Sequence, residues 1–470
     1  MKSRSRAAAN LVLPLWEPAP PASPPPTYAF RPIHYLGSKL RITDTILEAV
    51  DEVARPRGAA CDLFAGSGTV SLALSRVRPV TAVDIQEYSR VVCSALLAPV
   101  RAPARPDAAW IVDTARRSEV VQKLREAVEP LINLEQQCLA SAAAGDLEPL
   151  CDFLEHASLL ALDVEAKEQP SSEGVRKALR AASNNLTKAG LRDDSRSIVT
   201  RYFGGIYFSV EQAVELDGLL DVVHALPSEH RDYFLSMVLS TASEIVNTVG
   251  KQFAQPIRPR DSQGRPKRHL AQQVIRDRAR VTEEVFAEWS ARYEALPAPT
   301  QEHATYRADY RDFLRTATDE FSVVYADPPY TRDHYSRFYH VLETMCLRDN
   351  PAVSTMRLGD RELLSRGFYR SERHQSPFCI KTQAPGAFTE LFEGVRRLKA
   401  PLVLSYSPYQ ASEGARPRLM TIDGIVELAR KSFNNVEVRS VGKYAHNKFN
   451  QQERNARMFY DSEVLVICTS

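Results

Sequence analysis

The chain has 470 residues, with 60 lysines and arginines against 58 aspartates and glutamates and a formal net charge of +2. That length leaves room for two or three domains, or for one domain with a large insertion. A composition 44% hydrophobic and 25% charged excludes wholesale disorder, near-balanced charge excludes a histone-like polycation but not a local basic groove, and no apolar run reaches the ~18 residues of a membrane span.

Residues 1–30 begin basic and then carry seven prolines from Pro14 to Pro26, which favour extended backbone and cannot join a helix. A flexible tail is the expectation, with a proline-rich docking ligand as the alternative. The apolar stretch Leu11 to Trp16 is too short for a signal peptide. Ordered chain is expected from Arg31. The run from Ala59 to Gly68 reads as a buried strand ending in a glycine turn, followed by a helix from Thr69 to Arg76 and a second strand from Val80 to Asp84. Strand, glycine turn, helix, strand is a βαβ unit and predicts a parallel doubly wound sheet.

From residue 96 to 314 the pattern becomes mainly helical, as in Glu119–Leu139 and Leu147–Leu162. Within it, residues 251–280 hold nine lysines and arginines against Asp261 and Asp277. Lys251, Arg258, Arg260, Arg265, Lys267 and Arg268 are the candidates there for phosphate contact, a solvated charged face being the equal alternative. Arg201 to Phe208 mixes aromatics with two glycines and is expected in the core rather than as a wedge into DNA. Strands are expected again at Phe321–Ala326, Pro401–Tyr406 and Glu463–Cys468. Thr331 to His340 is a candidate to close over the site. Lys443 to Asn450, with Arg454 and Asn455, reads as a surface loop. Seven scattered cysteines make neither a disulfide framework nor a zinc site and read as reduced core residues of a cytosolic protein. The ten histidines show no metal spacing, so no metal is expected.

Three short pieces carry chemistry: Tyr35-Leu36-Gly37-Ser38-Lys39; Asp62-Leu63-Phe64-Ala65-Gly66-Ser67-Gly68-Thr69 with Asp84-Ile85 downstream; and Asp327-Pro328-Pro329-Tyr330. The glycine turn lacks the third glycine of the dinucleotide fingerprint and the lysine of a P-loop. Asp62 before the turn suits a cationic ligand better than a pyrophosphate, and the methionine end of S-adenosylmethionine carries an ammonium and a sulfonium. Asp84 is placed for ribose hydroxyls. Alone, this piece fits equally a tight structural turn with two capping carboxylates. In Asp-Pro-Pro-Tyr the prolines remove two backbone donors. The Asp327 carboxylate and the Pro328 carbonyl can then accept both hydrogens of an exocyclic amine, and Tyr330 offers a ring to an extruded base.

In this order the three pieces resemble the D12 class of adenine-N6 DNA methyltransferases, the Dam-like group with the alpha arrangement. The resemblance implies an α/β fold: a Rossmann-like S-adenosylmethionine-dependent methyltransferase sheet (31–95 and 315–470) interrupted by a large, mainly helical target-recognition insertion (96–314). It implies that Tyr35, Gly37, Ser38 and Lys39 form one side of the cofactor site. Asp62, Phe64, Ala65, Gly66, Ser67, Gly68 and Thr69 would surround the methionine end, Asp84 the ribose and Ile85 the adenine ring, with Asp327 reaching the cofactor and, with Pro328, Pro329 and Tyr330, holding the target adenine. The stretch between Thr69 and Asp327 is longer than in compact Dam enzymes, so no recognition sequence carries over.

The expected reaction is direct attack of adenine N6 on the cofactor's methyl group, with the base flipped out of duplex DNA. The family implies a bacterial cytoplasmic, nucleoid-associated setting in restriction-modification or phage defence, and leaves a cognate restriction or defence partner open. The alternatives are methylation of RNA or of cytosine N4, and a DNA-binding subunit active only with a partner.

Overall fold

A computed structural model describes residues 30–97, 106–164, 172–332, 334–358, 361–407, 418–441 and 463–470. The proline-rich segment 1–29 and the loop containing Lys443–Asn450, Arg454 and Asn455 lie outside them.

The chain forms a mixed α/β fold around a seven-stranded sheet. Its strands are β1 (Ala59–Asp62), β2 (Val80–Asp84), β3 (Ala304–Arg307), β4 (Phe321–Ala326), β7 (Leu402–Tyr406), β8 (Asn435–Ser440) and β9 (Val464–Thr469), in the spatial order β3-β2-β1-β4-β7-β9-β8. The first five in space are parallel, and β9 runs antiparallel between β7 and β8. A separate hairpin pairs β5 (Thr355–Leu358) with β6 (Arg361–Leu364). The central strands β4 and β7 are buried along their whole length, as strands covered on both faces must be. On one face they meet helix α1 (Thr43–Val53), α2 (Thr69–Leu74) and α3 (Glu87–Leu97) through Ile46, Val50, Leu74 and Leu97; on the other they meet Phe388, Leu391 and Phe392.

From β1 the chain winds outward one way through β2 to β3, and from β4 the other way to β7. The reversal lies between β1 and β4, and ligands of open parallel sheets sit outside the carboxyl ends of the strands at such a switch point. Asp62 ends β1 there, and Asp327 directly follows β4.

Between α3 and β3 the described chain is largely helical. Its core is continuous with the sheet domain: Val91 and Val92 of α3 share one apolar cluster with Phe234, Met237 and Val238 and with Val341 and Met345 of the helix His340–Leu347. The expected helix at 147–162 is two, Glu148–His156 and Leu159–Val164. The aromatics Phe203, Tyr207 and Phe208 are fully buried. One strand departs from the sequence expectation: β3 falls inside the stretch 96–314 yet pairs in register with β2 and forms the sheet edge. All seven cysteines are free and buried, and no helix among the described residues is long and apolar enough to cross a membrane.

Candidate active site

The switch point opens into a cleft lined by all three of the short sequence pieces. Every residue expected at the cofactor site lines it except Gly68. Gly68 acts one step back, as the left-handed N-cap of α2 (φ +72°), where a Cβ would stand 2.7 Å from Leu96 Cδ1. Gly66 has φ +53°, and a Cβ there would meet the Tyr35 hydroxyl at 2.6 Å. Glycine is required on both counts. Tyr35 is held by stacking against Tyr335 and Tyr339, with centroids at 5.7 and 5.0 Å, while the Leu36 amide donates to the Tyr339 hydroxyl at 2.7 Å. The segment after Asp-Pro-Pro-Tyr therefore braces the first piece of the site.

Asp62 is 1% exposed. Its Oδ2 accepts from Ser71 Oγ at 2.6 Å, and its Oδ1 is buried without a partner among the described residues. Burial raises its pKa to about 7, against the pull of the Ser71 hydrogen bond. Ser38 Oγ and Tyr325 Oη line the same cleft and are likewise buried without partners among the described residues. Three unsatisfied polar atoms in one cavity are costly by themselves and fit a polar ligand with a positive end. Asp84 differs: Oδ2 accepts from the Gly66 amide at 2.9 Å and Oδ1 from the Gln86 amide at 2.8 Å, so its carboxylate is fixed in place with further acceptor capacity on each oxygen. Burial raises its pKa, and these amides pull it back.

The far wall comes from residues that sequence reasoning missed. Asp309, after β3, caps the next helix by accepting from the Arg311 amide at 2.9 Å, and Asp309, Tyr310, His374 and Ser376 line the cleft. Phe64 packs on Tyr310 and Phe378 at centroid distances of 5.4 and 5.6 Å. The only sequence signal for this wall was an aspartate following a four-residue strand.

Asp327 stands at the mouth, 20% exposed, with Oδ2 2.9 Å from Lys39 Nζ. Lys39 is 5% exposed and also lies 2.5 Å from Glu463 Oε1. The two carboxylates outweigh the burial penalty and raise the lysine's pKa well above its usual value. Pro329 lines the cleft; Pro328 and Tyr330 do not. The Tyr330 ring, expected to offer a face to a base, is 6% exposed and covered. The Arg418 guanidinium lies 4.6 Å from its centroid, Lys39 Nζ 5.6 Å, and Tyr406 meets it edge-on at 5.4 Å.

The basic stretch looks different in three dimensions. Arg260 pairs with Glu148 and Glu155 at 2.7 and 3.0 Å, Arg265 with Asp261 at 2.9 Å, and Lys251 with Asp277 at 3.2 Å. Lys267 Nζ donates to the Arg258 carbonyl at 3.1 Å, and Arg278 is buried against Glu135. Nine-to-two thus overstated the free charge, because the neutralising glutamates come from helices far off in sequence. Arg258 remains exposed, and the Arg268 side chain lies outside the described residues.

The sequence model of the D12 class N6 adenine-specific DNA methyltransferase family matches residues 35–132 and 283–361, about two fifths of the chain. Modification methylase LlaI of Lactococcus lactis subsp. lactis is 24% identical over 241 residues, which cover 48% of this chain and 31% of the relative. The chain thus spans about a third of the length of the curated relative it matches. The first matched block supplies Tyr35, Lys39, Asp62 and Asp84, the second Asp309 and Asp327. In the two blocks that build the cleft, the chain is similar to the D12 class N6 adenine-specific DNA methyltransferase family.

Proposed function

We propose that the protein transfers a methyl group from S-adenosylmethionine to N6 of an adenine flipped out of duplex DNA. The observation that carries this reading is the buried, half-unpartnered Asp62 in a cleft whose mouth holds Asp327. When bound, the cofactor supplies an electrophilic methyl group on a sulfonium. Asp62, with Ser38 and Tyr325, holds its charged methionine end; Asp84 takes the ribose hydroxyls; Ile85 and Tyr310 flank the adenine ring. The Asp327 carboxylate and the Pro328 carbonyl accept the two hydrogens of the target amine and aim its lone pair into the cleft. Orientation and charge complementarity supply the rate, with no covalent enzyme intermediate. For a base to stack on Tyr330, Arg418 must move off the ring.

Phosphate contact falls to a group of arginines beside the mouth. Arg337 and Arg373 flank the Tyr369 ring at 4.6 and 5.7 Å from its centroid and adjoin Ser336 and His374 of the cleft wall. Arg366 donates to the Ile257 carbonyl at 3.3 Å, next to Arg258. Among the described residues none of the four is paired with a carboxylate. Burial lowers the pKa of Arg366 and of Arg373, and the neighbouring guanidinium of Arg258 or Arg337 lowers each further. Like charges crowded together favour a polyanion. The helical stretch 96–314 serves target recognition, and the relative's description as a modification methylase supports a restriction-modification setting.

The test uses labelled S-adenosylmethionine with unmethylated bacterial duplex DNA, the same DNA denatured, and total RNA, the methylated nucleoside being identified by mass. N6-methyladenine in the duplex is expected. Label in RNA or at cytosine N4 replaces the substrate, and cofactor binding without transfer replaces the enzyme with a partner-dependent subunit.

A further inference from the structure

Glu463 has no part in the roles above, yet it sits in the same constellation. It precedes β9, is 1% exposed, and its Oε1 accepts from Ser405 Oγ at 2.7 Å and from Lys39 Nζ at 2.5 Å. Lys39 reaches Asp327 Oδ2 at 2.9 Å. One ammonium is therefore shared between two carboxylates, and the trio carries a net charge of −1. A lone Lys39–Asp327 pair would be neutral, with the ammonium drawing on the same lone pairs that must accept the hydrogens of the target amine. A glutamine at 463 would satisfy the Ser405 hydroxyl equally well. Burying a full carboxylate instead is costly unless its charge is used.

We infer that Glu463 is a positioning residue for methyl transfer, which by sharing Lys39 keeps Asp327 a strong acceptor. This rests on the adenine-N6 reading above. In that reaction the N6–CH3 bond forms as the sulfonium–CH3 bond breaks, sulfur keeping the electron pair. The amine becomes cationic and then releases one proton, which Asp327 takes and passes to solvent. A negative trio favours the cation as it forms; a neutral pair does so far less. Glu463 touches neither reactant and acts only through Lys39.

The experiment compares Glu463→Gln, which keeps the shape and loses the charge, with Glu463→Asp, which keeps the charge and shortens the reach. Single-turnover methyl transfer from tritiated S-adenosylmethionine to unmethylated bacterial genomic DNA is measured beside cofactor Kd and Tm. The expected result is a ten- to hundredfold slower Glu463→Gln, a Glu463→Asp at least threefold faster than Glu463→Gln, and cofactor Kd within threefold of wild type in both. A purely structural residue would give the reverse order, because glutamine fits the site better than aspartate; that order, or a Glu463→Gln within twofold of wild type, overturns the inference. If Glu463→Gln shows no cooperative melt, Ser405→Ala carries the test. It frees the carboxylate from one of its anchors and is expected to slow transfer at least threefold, an unchanged rate being the overturning result. Wild-type protein that transfers no methyl group overturns the functional reading rather than the role of Glu463 within it.

Discussion

Cofactor affinity should depend on pH through Asp62. In the ligand-free protein burial raises this carboxyl from 3.8 to about 7, which corresponds to about 4 kcal/mol of differential interaction between its two protonation states. The folded chain therefore holds a proton that the unfolded chain has already released. On this account the ligand-free protein loses stability as pH rises from about 4 to about 7, and the cost is fully present above that. A ligand ammonium beside the unpartnered Oδ1 reverses the preference, because it favours the ionised carboxylate. Affinity for S-adenosylmethionine should consequently weaken by up to about tenfold per pH unit below about 7 and level off above it. Calorimetric titration at pH 6.0, 7.0 and 8.0, repeated in buffers of different ionisation enthalpy, should detect proton release on binding at the lowest pH. Asp62→Asn should flatten the profile, weaken binding at pH 8 by about ten- to a hundredfold through loss of a charge-assisted hydrogen bond, and raise the Tm of the ligand-free protein at that pH. A wild-type affinity that is flat from pH 6 to 8, or an Asp62→Asn variant that binds like wild type, would refute the assignment.

Asp327→Ala should abolish methyl transfer while cofactor Kd stays within an order of magnitude; measurable turnover in that variant removes Asp327 from its proposed role. Gly66→Ala, which sets a Cβ against the Tyr35 hydroxyl at a positive φ, should cost about 1–3 kcal/mol of stability in a urea melt and weaken cofactor binding. An unshifted melting midpoint would contradict the close approach. Arg337→Ala with Arg373→Ala should make the dependence of log K on log salt shallower by about two. Arg260→Ala, whose guanidinium is already paired with Glu148 and Glu155, should leave that slope unchanged; the opposite pattern would return phosphate contact to the ion-paired arginines of the stretch 251–280.

What the sequence made legible was what lies contiguous in it. Asp62, Gly66 and Gly68 fall within seven residues, Asp84 ends an apolar run, and Asp327 follows another, so strand, turn and carboxylate could be read together. Asp309 and Tyr310 could not, because β3 is a four-residue edge strand with half its residues exposed and shows no apolar alternation. Glu463 was seen only as the start of a strand, since glutamate is usually at the surface and its burial depends on a lysine more than four hundred positions earlier. Tyr330 was read by its chemistry without the neighbour that covers it. The free charge of the basic stretch was overread for the same reason as Glu463: Glu135, Glu148, Glu155 and Glu244 reach it from other helices.

The order of strands also bears on how the chain is made. β1 lies between β2 and β4, so while β2 pairs with it at once, its other edge waits for β4 (Phe321–Ala326). Some 260 residues separate the two, which at about 5–20 residues per second is roughly 10–50 s of synthesis. Through that interval a nascent chain presents Ala59–Asp62 as an open strand edge, the kind of surface other chains pair with. The helices that emerge meanwhile pack on α3 through Val91 and Val92 and bury apolar surface without closing that edge. The growing polypeptide is therefore most prone to mispairing after its first strands and before its fourth, and folding helpers that bind nascent strands should matter most in that window.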